Sequence, residues 1–189
     1  VTALSGTDFR NSPKSTTLII DGEELPLQIS GTPGNDKIIG IAGVENVIAG
    51  NAGDDVITGR GKDDVLLGNA GNDIIKGANG NDVLFGGRGD DELFGGNGSD
   101  QLHGDRGNDI LVGGNGDDIL TGGAGSDIFV FDPSSDKAGI DTVTDFNYLE
   151  DSIQFESNPN EVLFVDGTAG AEMFVDGTLM AIFEGVSAA

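Results

Sequence analysis

The chain has 189 residues, with 33 Asp+Glu against 9 Lys+Arg and a formal net charge of −24. So little basic surface excludes nucleic acid as a partner, because nothing would neutralise its phosphates. The absence of Cys excludes disulfide and zinc–thiolate staples, and no apolar run approaches the roughly 18 residues that span a membrane.

High net charge with few aromatics is also the composition of a disordered chain. Against that stands an apolar fraction of 37 % placed at regular intervals. The acidic excess calls for a cationic partner, and metal ions are the obvious one.

Residues 1–30 read as an N-terminal flank. No signal peptide opens them. The first residue, Val1, and the abrupt end FEGVSAA (183–189) suggest a piece of a longer protein. Within the flank, TTLIIDGEELPLQI (16–29) reads either as a small hairpin capping the segment after it or as the tail of an upstream domain.

Residues 31–130 are a tandem repeat, the feature that decides the fold. From Gly50 the blocks of nine are GNAGDDVIT, GRGKDDVLL, GNAGNDIIK, GANGNDVLF, GGRGDDELF, GGNGSDQLH, GDRGNDILV, GGNGDDILT and GGAGSDIFV, without a gap to Val130. Asp stands sixth in all nine: Asp55, Asp64, Asp73, Asp82, Asp91, Asp100, Asp109, Asp118 and Asp127. Upstream, GTPGNDKII (31–39) keeps the frame with Asp36, whereas GIAGVENVIA (40–49) has Glu45 or Asn46 where Asp belongs. Downstream, Asp136 stands nine residues after Asp127.

The eighth position is always large and apolar, from Ile57 to Phe129. Nine residues do not make whole helical turns, and glycine at this density costs a helix about 1 kcal/mol each time. A Gly-rich turn of six residues followed by a three-residue strand does fit, with position 8 facing inward and positions 7 and 9 outward. Two nonapeptides then form one coil. The fold expected is all-β: a right-handed parallel β-roll, a β-solenoid, with a C-terminal β cap. At outward position 7, Glu92 and Gln101 mark the middle of the roll as bare to water, with its two ends covered by flanking segments.

The consensus resembles the RTX (repeats-in-toxin) family, whose signature is G-G-x-G-x-D-x-U-x with U large and apolar. The resemblance implies Ca²⁺ as the ligand, held in the turns. Hard Ca²⁺ takes six to eight oxygens. In RTX rolls these are the carbonyls of positions 2 and 4 and Asp 6 of one block, with the carbonyls of positions 1 and 3 and Asp 6 of the block two further on. Carried over, the first set is Asn51, Gly53 and Asp55 with Gly68, Ala70 and Asp73. On the opposite edge, Arg60, Lys62 and Asp64 pair with Gly77, Asn79 and Asp82. Next come Asn69, Gly71 and Asp73 with Gly86, Arg88 and Asp91, then Ala78, Gly80 and Asp82 with Gly95, Asn97 and Asp100. Gly87, Gly89 and Asp91 follow with Gly104, Arg106 and Asp109, then Gly96, Gly98 and Asp100 with Gly113, Asn115 and Asp118. The last is Asp105, Gly107 and Asp109 with Gly122, Ala124 and Asp127. That implies seven or more ions, with weaker sites at the ends between Asp36 and Asp55 and between Asp118 and Asp136. Lys62, where Gly belongs, makes its site the least regular.

Residues 131–189 leave the repeat and read as a C-terminal cap of short strands: DTVTDF (141–146), DSIQF (151–155), EVLFV (161–165) and a hairpin in EMFVDGTLMAIF (172–183) about Asp176-Gly177. The segment from DTVTDFN to DSIQF is similar to the element that closes RTX rolls, and its work would be to cover open sheet edges.

Other chemistry fares poorly. No G-x-G piece is followed by GK[ST], and the EF-hand spacing is absent. His103 is the single histidine and reads as an outward strand residue. Without Cys, and with one His, nucleophilic triads and zinc hydrolysis lack their usual bases, so the chain is not expected to be an enzyme. The sequon at Asn97-Gly98-Ser99 falls inside a repeat turn. The function expected is a calcium-binding module that folds on Ca²⁺ after secretion, a monomer whose other partner is the type I secretion machinery, and which lies outside a bacterial cell. The alternative is an accessory substrate-binding module of a secreted protease, lipase or mannuronan epimerase. An ice-binding roll would need flat outward Thr/Asn ladders, whereas position 9 mixes Thr, Lys, Phe, His and Val.

Overall fold

In the computed structural model, residues 18–20, 23–135, 139–168 and 170–186 are described, and all the regular structure among them is strand. The first two strands, β1 (Leu18–Ile20) and β2 (Glu23–Leu25), pair antiparallel by themselves. The expected hairpin over 16–29 is therefore shorter. Its last residues form β3 (Leu27–Ser30), the first rung of the roll, paired parallel with β5 (Asn46–Ala52).

From there the chain coils. On one side lie β4 (Lys37–Ile39), β6 (Val56–Gly61), β8 (Ile74–Asn79), β10 (Glu92–Asn97), β12 (Ile110–Asn115) and β14 (Ile128–Phe131). On the other lie β3, β5, β7 (Val65–Ala70), β9 (Val83–Arg88), β11 (Gln101–Arg106) and β13 (Ile119–Ala124). Alternate blocks thus enter opposite sheets, each strand parallel to the one two blocks on, as in Leu93↔Leu111 and Leu102↔Leu120. The result is a parallel β-solenoid with two nonapeptides to the coil.

The eighth position forms the core. Ile57, Leu66, Ile75, Leu84, Leu93, Leu102, Leu111, Leu120 and Phe129 are all 0 % exposed. Each full rung buries an isoleucine, leucine or phenylalanine side chain against its counterparts, worth roughly 1.5–3 kcal/mol apiece.

The strands are longer than the three residues expected. Pairing runs through positions 7, 8 and 9 and resumes at positions 2 and 3 of the next block, as in Arg60↔Ala78 and Gly61↔Asn79. The reason is local: position 2 turns the corner with positive φ, yet the backbone beyond it still bonds to the neighbouring coil. The outward faces near the ends of the roll are covered only in part: Ile39 is 46 % and Ile119 42 % exposed, whereas Val130 in the last block is buried at 8 %.

The C-terminal segment continues the same sheets. β15 (Asp141–Val143) adds parallel to β13, and β16 (Ser152–Phe155) adds parallel to β14. β17 (Val162–Asp166), β18 (Gly170–Val175) and β19 (Thr178–Glu184) form an antiparallel meander joined to β15 through β19. The β18–β19 turn lies at Asp176-Gly177, both with positive φ (50° and 83°), as the Asp-Gly pair anticipates.

Candidate metal-binding turns

Each turn is built from two left-handed residues and one buried carboxylate. Position 2 has positive φ in every block from Asn51 to Gly123, and so does position 4 from Gly53 to Gly125. Glycine adopts this freely, but Asn51, Arg60, Lys62, Asn69, Ala78 and Asp105 adopt it with side chains present. At position 1 the need for Gly is steric: a Cβ at Gly77 would collide with Asp82 Oδ2 and close on the Gly95 carbonyl oxygen, 2.7 Å away.

The nine aspartates of the sixth position, Asp55 through Asp127, are at most 1 % exposed. Their Oδ1 atoms are accounted for. The Asp55 N–H donates to Asp73 Oδ1, Asp64 to Asp82, Asp73 to Asp91 and Asp82 to Asp100, at 2.7 Å each. Asp91 donates to Asp109, Asp100 to Asp118 and Asp109 to Asp127, at 2.8–2.9 Å. The seven Asp pairs anticipated from the period are thus brought together in two columns.

The Oδ2 atoms are a different matter. In all nine aspartates Oδ2 is buried with no hydrogen-bond partner. A buried carboxylate oxygen without a donor is costly, and a column of them is costlier: two carboxylates ~5 Å apart repel by about 3 kcal/mol at an effective dielectric of 20. Burial, helped by neighbouring carboxylates and opposed by the backbone N–H bond, pushes Asp82, Asp91 and Asp118 up to about 7. Asp109 is pushed up to about 6 in the same way, and so is Asp100. Asp55, Asp64, Asp73 and Asp127 are raised for the same leading reason.

An all-oxygen, anionic, buried donor set fits a hard divalent cation, and no nitrogen or sulfur ligand competes. Among the described residues, no three acidic, His or Cys side chains converge on one point. An ion between two aspartates would therefore complete its shell from backbone carbonyls or water. Position 3 carbonyls each accept one ladder bond from the position 4 N–H of the block two before, such as Gly71 N–H to Arg88 O (2.8 Å) and Gly80 N–H to Asn97 O (3.0 Å). Each keeps a second lone pair.

The ends differ from the middle. Asn46, rather than Glu45, takes the sixth-position place: it is 1 % exposed and its Nδ2 donates to Asp64 Oδ1 at 2.8 Å. Asp36 donates its N–H to Asp55 Oδ1 (2.7 Å), and its own Oδ2 accepts from the Thr32 N–H and hydroxyl. Asp136 lies outside the described residues. At the rung of Asp118 stands Asp141, whose Oδ1 accepts the Asp118 N–H at 3.1 Å and which burial pushes up to about 8. Likewise Asp127 donates to Asp151 Oδ1 at 3.0 Å. Neither Asp141 nor Asp151 was found from the nonapeptide frame, because the insert before them breaks it; the signal available was Asp opening both DTVTDF and DSIQF.

A second column was also missed. Position 5 is Asp, Asn or Ser throughout. The Asp and Asn side chains there accept the N–H of the fifth residue two blocks on. Examples are Asn72 N–H to Asp54 Oδ1, Asp90 to Asn72 and Ser126 to Asn108, at 2.9–3.0 Å. The restriction to these three residue types was visible in the repeat.

A family model for the RTX calcium-binding nonapeptide repeat (4 copies) matches residues 45–75, 59–93 and 94–129. No curated protein matches the chain. Among solved structures, the crystal structure of the extracellular lipase LipA from Serratia marcescens is similar, with a TM-score of 0.34 and 19 % identity. The match covers 87 % of this chain and 39 % of that one.

Proposed function

Because the repeat array of this chain belongs to the RTX calcium-binding nonapeptide repeat family, we propose that it holds Ca²⁺ between the sixth-position aspartates of successive coils and folds only when those ions are present. The observation that carries this reading is the set of buried Oδ2 atoms without a donor. The ligands proposed are the seven sets from Asn51, Gly53 and Asp55 with Gly68, Ala70 and Asp73 to Asp105, Gly107 and Asp109 with Gly122, Ala124 and Asp127. Asp141 and Asp151 extend the two columns.

The energetics favour a switch. Without metal, the buried carboxylates repel one another and the ordered glycines oppose folding. With an extracellular-type Kd of ~10⁻⁴ M and free Ca²⁺ tenfold above it, each site contributes about 1.4 kcal/mol through linkage. Seven sites contribute about 10 kcal/mol, comparable to the stability of a whole domain; at cytosolic calcium they contribute almost nothing. A chain of this kind stays extended inside a bacterial cell, passes a type I exporter, and folds outside as a monomeric module. Within it, residues 1–30 are a flank, 31–130 the calcium roll and 131–189 the cap.

Circular dichroism during a Ca²⁺ titration tests the reading. The expected result is a cooperative change from coil to β, reversed by chelator. A fully formed roll in chelator would overturn it.

A further inference from the structure

The outer face of the ten-stranded sheet carries a hollow of about 500 Å³, beside turns whose backbone carbonyls belong to the proposed metal sets but lined here by side chains. Leu67 and Phe85 give it an apolar wall, and Asn69, Arg88, Asp105 and Arg106 give it polar ones. It opens where it does because of register. Asn69 pairs with Gly87, and Gly87 with Asp105, so the middle strand of three has no side chain at that rung. One position further, Arg88 pairs with Arg106 on the adjacent strand, while the flanking rungs carry only Ala70 and Ala124.

Two guanidinium groups on adjacent strands repel each other, and neither is ion-paired or hydrogen-bonded through its side chain among the described residues. In a chain of net charge −24 they stand where a carboxylate could take both. The neighbouring Phe85 ring is held in place by stacking on His103, with centroids 4.9 Å apart and planes 10° from parallel.

We propose that this hollow binds an acidic sugar. Its carboxylate lies on Arg88 and Arg106, the apolar face of its ring against Leu67 and Phe85, and its hydroxyls on Asn69 and Asp105. Asp105 decides the class of ligand. A carboxylate in the wall repels a bare anion such as phosphate but accepts hydrogen bonds from sugar hydroxyls. An acidic peptide side chain would bring no hydroxyl to that wall. The inference goes beyond calcium binding, yet it rests on the folded roll, since these side chains meet only when coils stack.

His103 is the single histidine of the chain, so its imidazole C2–H is an isolated NMR reporter beside the hollow. The titrations use the full chain at saturating Ca²⁺, with the dichroism of each variant recorded in the same buffer, so that loss of fold and loss of site read differently. Methyl glucuronide is expected to move the His103 resonance saturably, and methyl glucoside to bind at least tenfold more weakly. Arg88→Gln with Arg106→Gln should lose the response by a similar factor. Lys76→Gln, on the opposite sheet where Lys76 lies over the Phe94 ring at 4.9 Å, should keep it. If the double variant does not fold, Phe85→Leu decides, with weakened binding expected. No saturable shift overturns the proposal, as does equal affinity for the neutral glycoside, undiminished binding by the variant that decides, or equal affinity for inorganic sulfate.

Discussion

Asp91 shows how one side chain serves two rungs. Its Oδ1 accepts the Asp73 N–H at 2.7 Å, and its own N–H donates to Asp109 Oδ1 at 2.8 Å. In the proposed arrangement it is a ligand on both sides. Asp91→Ala should therefore lower the number of Ca²⁺ bound by two, read by isothermal titration, and raise the Ca²⁺ midpoint of folding several-fold. Loss of one ion would reject the sharing. The raised carboxylates also make a pH prediction whose sign depends on the metal. Unfolded aspartates titrate near 3.8, whereas folded Asp82, Asp91 and Asp118 titrate near 7 and Asp141 near 8. The metal-free fold thus binds protons more tightly than the unfolded chain. The stabilisation is complete below about pH 4 and lost as pH rises through 6 to 8. In chelator the roll is not expected to form fully at any pH, but the residual β content read by dichroism should fall as pH is raised from 5 to 8. At limiting Ca²⁺ it should rise over the same range, because Ca²⁺ requires ionised ligands. The same slope with and without metal would count against ligation by these groups.

The repeating element is a turn that tolerates more than glycine, at a cost. Lys62 holds φ of 148° at position 4, where eight of the nine blocks have Gly. Its N–H still donates to Asn79 O at 3.0 Å, so the ladder survives the substitution. Lys62→Gly should relieve the strained conformation and remove a cation from beside a proposed site, gaining about 1 kcal/mol. A higher Tm and a lower Ca²⁺ midpoint would be the signs of it. The turn and its inward strand were legible because they recur: Gly at position 1, Asp at 6 and the apolar residue at 8 all do work that every block repeats. The length of the strand was less legible. Gly61 and Asn79 look like turn residues in isolation, yet they pair with each other across the coil. The position 5 ladder escaped notice because its acceptors lie a full coil from their donors, although its composition was plain.

At the scale of the molecule, the roll is a column whose two ends are finished by different means. At one end the amide of Asn46 meets Asp64 with a hydrogen bond, so that rung carries one carboxylate instead of two. At the other, Asp141 and Asp151 continue the two acidic columns, and a cluster of rings covers the last apolar rung. Phe129 meets Phe146 with centroids at 5.9 Å, and Phe146 meets Phe183 at 5.1 Å. Deleting residues 132–189 would remove Asp141 from Asp118 and Asp151 from Asp127, leaving each with a carboxylate neighbour on one side only, and would open Phe129 to water. The truncated roll should need several-fold more Ca²⁺ to fold, measured by dichroism. An unchanged midpoint would mean that the C-terminal strands contribute nothing to the columns they join.

The period, the phase of the aspartates and the inward apolar ladder were determined by the amino-acid sequence alone, since each block of nine repeats one local chemistry and such blocks stack only in register. Only the tertiary structure decided what finishes the columns and what lies on the outer face. Asp141 and Asp151 reach their partners at separations of 23 and 24 residues, where no period announces them. Arg88 and Arg106 become a pair only because adjacent strands set them side by side. Local chemistry carries along the chain; neighbours across coils exist only once the coils are stacked.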